Sequence, residues 1–414
     1  MTQDPSPDSL VYRYLDLGLA VGRHLEGFVD AYYGPPELAA RVTAEPVRSP
    51  ARLIAQARSL LADLDAGLPL DGDLVSSSDN GVSGSQRRRW LRAQVRGVLT
   101  SARRFDGDSI AYVDEVEDCY GVRPSVVPDE VFAAAHTRID EALPGSGSLA
   151  DRLISWRESH QVPVDLLPAA VASLAEDLRE RTACLLGLPE GEQVDFELVQ
   201  GQPWSGFNTY LGGLRSRVAI NTDLPVLSTS LPHLVAHEAY PGHHTEHCHK
   251  EMRLVRRMNF AEETIFLVGT PQCLMAEGLA DLGLEVIMGR RHEFQVEAHF
   301  RQLGIRYDAE VAAEVAEAGE ALGAVRGNAA WRLHAQGIDP EIVIDEVAHW
   351  GLLPRPRAQK AVEFLMHPTW RAYISCYVLG LPLCRRFVDG DSNRFARLID
   401  EQLTPAEMGT LPAA

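Results

Sequence analysis

The chain of 414 residues predicts a mainly α-helical fold with a small β-sheet beside its central helix, and three observations carry this expectation. Most of the sequence spaces its apolar residues at helical period, long alternating strand runs are absent, and the stretch 204–221 is the most strand-like. At 45% hydrophobic residues the chain can bury a large core. The expected arrangement is an N-terminal helical lobe over 1–190 and a metal-binding lobe over 191–414, or one continuous domain.

Helices are expected over 9–32, 50–66, 86–105, 128–142, 148–160 and 165–186, then over 230–249, 271–289, 292–306, 308–335, 340–349 and 357–388. The last is interrupted near Pro368 and Pro382. Residues 71–86, rich in Gly, Ser and Asp, read as a surface loop, and a softer boundary falls near Leu188-Pro189-Glu190-Gly191. The basic run Gln86–Arg92 reads as a solvated helix face. Between 204 and 221, Val218 and Ile220 alternate with Arg217, Ala219 and Asn221, as in a short half-buried strand.

Residues 237–247 read His-Glu-Ala-Tyr-Pro-Gly-His-His-Thr-Glu-His. Neutral imidazole is the commonest protein ligand for zinc, and a neighbouring carboxylate can take a proton from water at the metal. In the HExxH helix two His one turn apart share a face, but here the fourth residue after His237 is Pro241, which cannot ligate. On an ideal helix His244 returns to the face of His237 roughly 10 Å further along, and His243 points about 240° away. A straight helix therefore cannot make the site. Pro241 lacks the N–H for the carbonyl of His237 and Gly242 tolerates unusual dihedrals, so a bulge or kink is expected there, with His243 as second ligand and His244 as the alternative. Ser230 and Pro232 suit the start of the preceding helix, and Leu231, Leu234 and Val235 give it an apolar stripe that Glu238 continues. A plain His-rich helix end is the structural alternative, and His247, Cys248 and His249 read as packed or solvated side chains beyond the site.

A zinc site with one open position needs a third protein ligand, and Glu277 is the candidate. It opens a row with Asp281 and Glu285 at helical spacing, which is either a wet surface or a site with a cation beside it. Gly278 in mid-helix points to the close approach of another backbone.

His237-Glu238-Ala239-Tyr240-Pro241-Gly242-His243-His244, then Glu277-Gly278-Leu279-Ala280 and Tyr377-Val378-Leu379-Gly380, resemble the bacterial family catalogued as domain of unknown function 885. That family is similar to the gluzincin metallopeptidases. The His243-to-Glu277 spacing is nearer to the thimet-oligopeptidase and Taq-carboxypeptidase groups than to zinc aminopeptidases. The chain departs from the usual family form at Leu279 and at Asp281-Leu282. The resemblance implies a helical gluzincin-like fold with a deep cleft, one Zn2+ held by His237, His243 and Glu277, and hydrolysis of small peptides, of carboxypeptidase or oligopeptidase type, by a zinc-activated water with Glu238 as general base. Tyr377, with Tyr373 one turn before it, is the candidate oxyanion donor. In such peptidases an edge strand pairs with extended substrate, which makes Asn208, Tyr210 and Asn221 candidate groove residues, with an ordinary hairpin as the alternative. Arg371 and Arg385 are candidate anchors for a substrate carboxylate, with a surface arginine as the default reading of each. The same ion and base would serve an ester, lactone or other amide, and a non-catalytic metal-binding protein would keep the fold without the chemistry.

A net charge of −19 repels phosphate backbones and anionic bilayers, so nucleic acid and membrane are not expected partners. Six scattered cysteines with no CxxC pair, a start without a secretory signal and an apolar stretch near 374–383 too broken to span a bilayer predict a cytoplasmic protein.

Overall fold

The computed structural model describes residues 5–6, 8–71, 84–202, 204–367 and 370–409. Most of the expected loop at 71–86, and Pro368, lie outside them. The first half runs through α1 (Leu10–Gly22), β1 (Val29–Tyr32), α2 (Pro36–Ala44), α3 (Pro50–Asp65), α4 (Gly84–Phe105), α5 (Tyr112–Tyr120), α6 (Asp129–Ala142), α7 (Leu149–Ser159) and α8 (Leu167–Leu185). Then come β2 (Gln193–Val199), β3 (Gly206–Gly212), β4 (Arg215–Asn221), α9 (Leu231–Glu238), α10 (His243–Lys250), β5 (Ile265–Leu267) and α11 (Pro271–Met288). The chain closes with α12 (Glu293–Gln302), α13 (Ala309–Gly319), α14 (Val325–His334), α15 (Pro340–Trp350), α16 (Arg355–Met366), α17 (Ile374–Val388), α18 (Ser392–Asp400) and α19 (Pro405–Met408). The fold is mainly α with a small sheet, as the sequence predicts.

Three expected helices are shorter than their periodicity suggested. The first stops at Gly22, and 29–32 pairs as β1 with β5, a contact more than 230 residues away in sequence that local pattern does not reveal. The 308–335 stretch is split by a 3-10 turn at Glu320–Ala324, and 357–388 divides into α16 and α17. Ser230 does not cap α9: its hydroxyl donates to the Leu227 carbonyl at 3.2 Å. Nor is the basic run wholly solvated. Arg87 is buried, with Nε 2.6 Å from Glu262 and its guanidinium over the Phe260 ring.

The larger sheet has the order β2-β4-β3, with β2 parallel and β3 antiparallel to β4, so β3 is an edge strand. The β3–β4 turn takes positive φ at Gly212, Gly213 and Leu214. Apolar residues of α1, α3 and α4 form one core, which also takes Ile265 and Leu267 from β5. A second core joins α5 and α6 to α11, α14 and α17. Both cross residue 190, so the expected division there does not separate two cores.

Helix α11 runs through the middle of the molecule, buried along most of its length. It packs on α17 so closely that a Cβ at Gly278 would stand 2.3 Å from the Gly380 carbonyl oxygen, which accounts for a glycine in mid-helix. Among the described residues, no helix is long and apolar enough to cross a membrane.

Candidate metal centre

The motif at 237–247 does not kink a helix; it ends one and starts another. Helix α9 stops at Glu238, the Tyr240–Pro241 peptide is cis, and α10 begins at His243. Gly242 folds back on the last turn of α9, its N–H donating to the Ala236 carbonyl at 2.9 Å. The Ala239 carbonyl, freed by the break, accepts from the Thr245 N–H and hydroxyl at 3.2 and 3.0 Å, so the turn leaves no orphan there.

This reversal brings His243 Nε2 to 3.1 Å from His237 Nε2, and α11 supplies Glu277 Oε2 at 3.4 Å from the same nitrogen. All three ligating atoms lie within 4.8 Å of one another. Donors held about 2.0–2.2 Å from a tetrahedral ion stand about 3.3–3.6 Å apart, so the 3.4 Å separation matches zinc and the 3.1 Å one needs only a small widening. Glu277 Oε2 is buried and has, among the described residues, no polar partner closer than His237 Nε2 at 3.4 Å, while Oε1 accepts from the Tyr373 hydroxyl at 2.9 Å. That oxygen is the kind of buried orphan a cation would satisfy.

The surrounding groups orient the donors. Asp281, one turn beyond Glu277, accepts from His237 Nδ1 at 2.9 Å, which leaves the Nε2 lone pair facing the centre. His233 Nε2 stands 3.4 Å from the same carboxylate oxygen. Burial disfavours charge on His237, yet Asp281 and Glu277 push its pKa well above the ordinary imidazole range. Burial and the neighbouring His237 lower His243 to about 4, so it offers a neutral ring.

Glu238 is buried beside this group, and burial, with Glu277 and Asp30 adding against His237, pushes its pKa up to about 7. The edge strand reaches it directly: Asn208 Nδ2 donates to the Glu238 carbonyl at 2.6 Å, and a Cβ at Gly206 would lie 3.2 Å from Glu238 Oε1. Tyr377 joins through Tyr373, their hydroxyls 3.0 Å apart, and is the more exposed of the two.

His244, the alternative ligand, is wholly buried, with Nε2 2.9 Å from Glu192 and Nδ1 2.8 Å from the Ser216 hydroxyl, so it cannot serve the ion. Of the three groove residues, Asn208 lies at the site. Tyr210 does not: it is a core side chain that donates to Glu251 at 2.5 Å and stacks on His247. Asn221 closes a loop by donating to the carbonyls of Gln202 and Trp204. His247 and Cys248 are buried and His249 bonds Asp400, as packed residues beyond the site. A cavity of about 820 Å³ bounded by Leu282, Glu285, Arg290 and Arg385 lies further along α11, not over the His237 centre.

The sequence placed Asp281 in a row with Glu277 that suits a nearby cation, without naming it as the partner of His237, and passed over Asp30. The i, i+4 relation to Glu277 was a usable signal for Asp281. Asp30 carried none, because it lay inside an expected helix.

No family model matches the chain, and no curated protein matches it. Its fold resembles that of the "putative lipoprotein" from Colwellia psychrerythraea, with a TM-score of 0.51, 14% identity, and 92% of this chain aligned to 79% of that one. The "putative lipoprotein of unknown function" from Shewanella oneidensis aligns over 97% of this chain and 82% of its own at 11% identity and a TM-score of 0.47. The first likeness concerns the fold alone.

Proposed function

We propose that the protein is a metal-dependent hydrolase of short peptides, in line with its resemblance to the domain of unknown function 885 family and the gluzincins. One observation carries the reading: the ligating atoms of His237, His243 and Glu277 converge within 4.8 Å of one another, with the buried carboxyl of Glu238 next in sequence to His237. A zinc ion, when bound there, supplies a Lewis acid that polarises the scissile carbonyl and acidifies water.

The chain's own groups supply the rest. Glu238 takes a proton from the attacking water and returns it to the leaving nitrogen, work suited to a carboxyl group whose burial raises its pKa toward neutrality. Tyr377 presents its hydroxyl toward the charge that develops on the carbonyl oxygen, and Tyr373, whose proton goes to Glu277, stands between it and the ligand. Asp281 holds the His237 ring, and Asn208 ties β3 to the backbone of Glu238. The six free cysteines suit a reducing compartment such as the cytoplasm.

The test is Glu238→Gln assayed with zinc on a panel of di- to hexapeptides and simple esters. The variant keeps wild-type zinc content and loses about 10²- to 10⁴-fold in peptide hydrolysis, the scale of a lost general base. Wild-type protein that turned over esters but no peptide would move the reading to another bond. A variant as active as wild type would remove it.

A further inference from the structure

The catalytic reading leaves one carboxylate at the centre without a task. Asp30 sits between Val29 and Ala31, where the register of β1 against β5 shifts, and it has no cross-strand partner. A bulge at such a point re-aims the side chain it carries. Asp30 acts electrostatically on Glu238 and feels Glu277, and β1 packs on β3, whose Gly206 and Asn208 lie against Glu238. The strand therefore presents a third acid to the same space.

That acid is partly buried, and among the described residues no hydrogen-bond donor or cation pairs with it. The arginines considered as anchors for a substrate carboxylate are already engaged. Arg371 binds Glu115 and the Ile110 carbonyl, and Arg385 binds Glu285 and Glu320. A substrate carboxylate finds neither of them free, whereas an ammonium group finds an unpaired carboxylate. Aromatic faces stand near the same strand. Trp370 lies 3.1 Å from where a Cβ on Gly27 would be and packs edge-on against Tyr373, with ring centroids 5.4 Å apart. Tyr373 in turn bonds Glu277, so this stretch of chain stands close to the centre.

We propose that Asp30, set at the β1 bulge beside Glu238 and Glu277, anchors an ammonium group of the substrate, so that the site takes short peptides by a free amino group. The catalytic part of this inference rests on the hydrolase reading above; the binding part does not.

The experiment compares wild type with Asp30→Asn, an isosteric change at a partly exposed position, on Ala-Ala-Ala, N-acetyl-Ala-Ala-Ala and N-acetyl-Ala-Lys-Ala. Zinc content and thermal melting are measured alongside and stay as in wild type. Wild type prefers the free peptide, and the variant loses that preference by roughly 10- to 100-fold, through KM more than kcat, the scale of one charge-assisted hydrogen bond. If the lysine peptide, and not free Ala-Ala-Ala, outperforms N-acetyl-Ala-Ala-Ala in an Asp30-dependent way, the ammonium comes from a side chain. Equal use of all three peptides by wild type, or full discrimination retained in Asp30→Asn, overturns the proposal. Calorimetric binding of Ala-Ala-Ala to Glu238→Gln protein, with and without Asp30→Asn, reads the anchor where no turnover occurs. Failure of the hydrolase reading therefore leaves this measurement standing.

Discussion

Gly242 has no room for a side chain. A Cβ there would stand 1.9 Å from the His237 carbonyl oxygen and 2.6 Å from that of Ala236, and both obstacles are backbone. Gly242→Ala must therefore push α10 away from α9 and carry His243 off His237. We expect a loss of about 1–3 kcal/mol or more in stability, the cost of overpacking a fixed backbone, together with loss of bound zinc. Thermal melting and metal analysis check this; a variant that melts like wild type and keeps its zinc contradicts it. At this scale the sequence was legible where chemistry restricts the choice. Pro241 removed the usual second ligand, and Gly242-His243 marked where a replacement had to be sought. It was less legible for Tyr210, because a tyrosine on a strand faces a groove or a core according to neighbours that the strand itself does not name. Here those neighbours are Glu251, His247 and Tyr33.

Among the elements, the crossing of α11 and α17 sets the distance between ligand and oxyanion donor. Gly278 follows Glu277 directly, and Gly380 is one turn beyond Tyr377; a Cβ on either would meet backbone of the other helix. Gly278→Ala is expected to cost about 1–3 kcal/mol and to weaken zinc binding by shifting Glu277. Gly323, in an exposed 3-10 turn with open space at its Cβ, is the control: Gly323→Ala should be neutral or stabilising by up to about 1 kcal/mol. Equal urea midpoints for the two variants would contradict the role given to the crossing. Helices such as α3 and α11 were readable from period and starting residues alone, since Pro50 and Pro271 stand in their first turns. Strands β1 and β2 were not. Each is short, and its partner is distant in sequence or parallel, so local alternation carried little of the information that fixes it.

For the molecule as a whole, the cluster around Glu192 ties α8, the sheet and the α9–α10 reversal together. Its buried carboxylate meets Arg179, the Tyr240 hydroxyl at 2.7 Å and His244 at 2.9 Å. Burial opposes ionisation of Glu192, but the bonds from His244, Tyr240 and Arg179 outweigh it and hold the pKa at about 2, against 4.5 for a free glutamate. A depressed carboxyl stabilises the fold above its unfolded pKa and loses that contribution as pH falls from about 4.5 through about 2. His244, lowered chiefly by burial, adds a loss in the same direction that begins as the unfolded chain's imidazole protonates near pH 6.5. Stability from urea unfolding should therefore fall from pH 7 to pH 3, by about 2 kcal/mol for Glu192 alone, and Glu192→Gln should lack the part below pH 4.5. Parallel profiles for the two proteins would contradict this account.

The proposed chemistry depends on one convergence, that of two imidazoles six residues apart with a glutamate from α11. It is measured most directly by a crystal structure of the zinc-loaded protein with anomalous data at the zinc edge. The account expects one zinc peak about 2.0–2.2 Å from His237 Nε2, His243 Nε2 and Glu277 Oε2, with His244 still bonded to Glu192. A peak ligated by His244, or none between α9, α10 and α11 at saturating zinc, would contradict it.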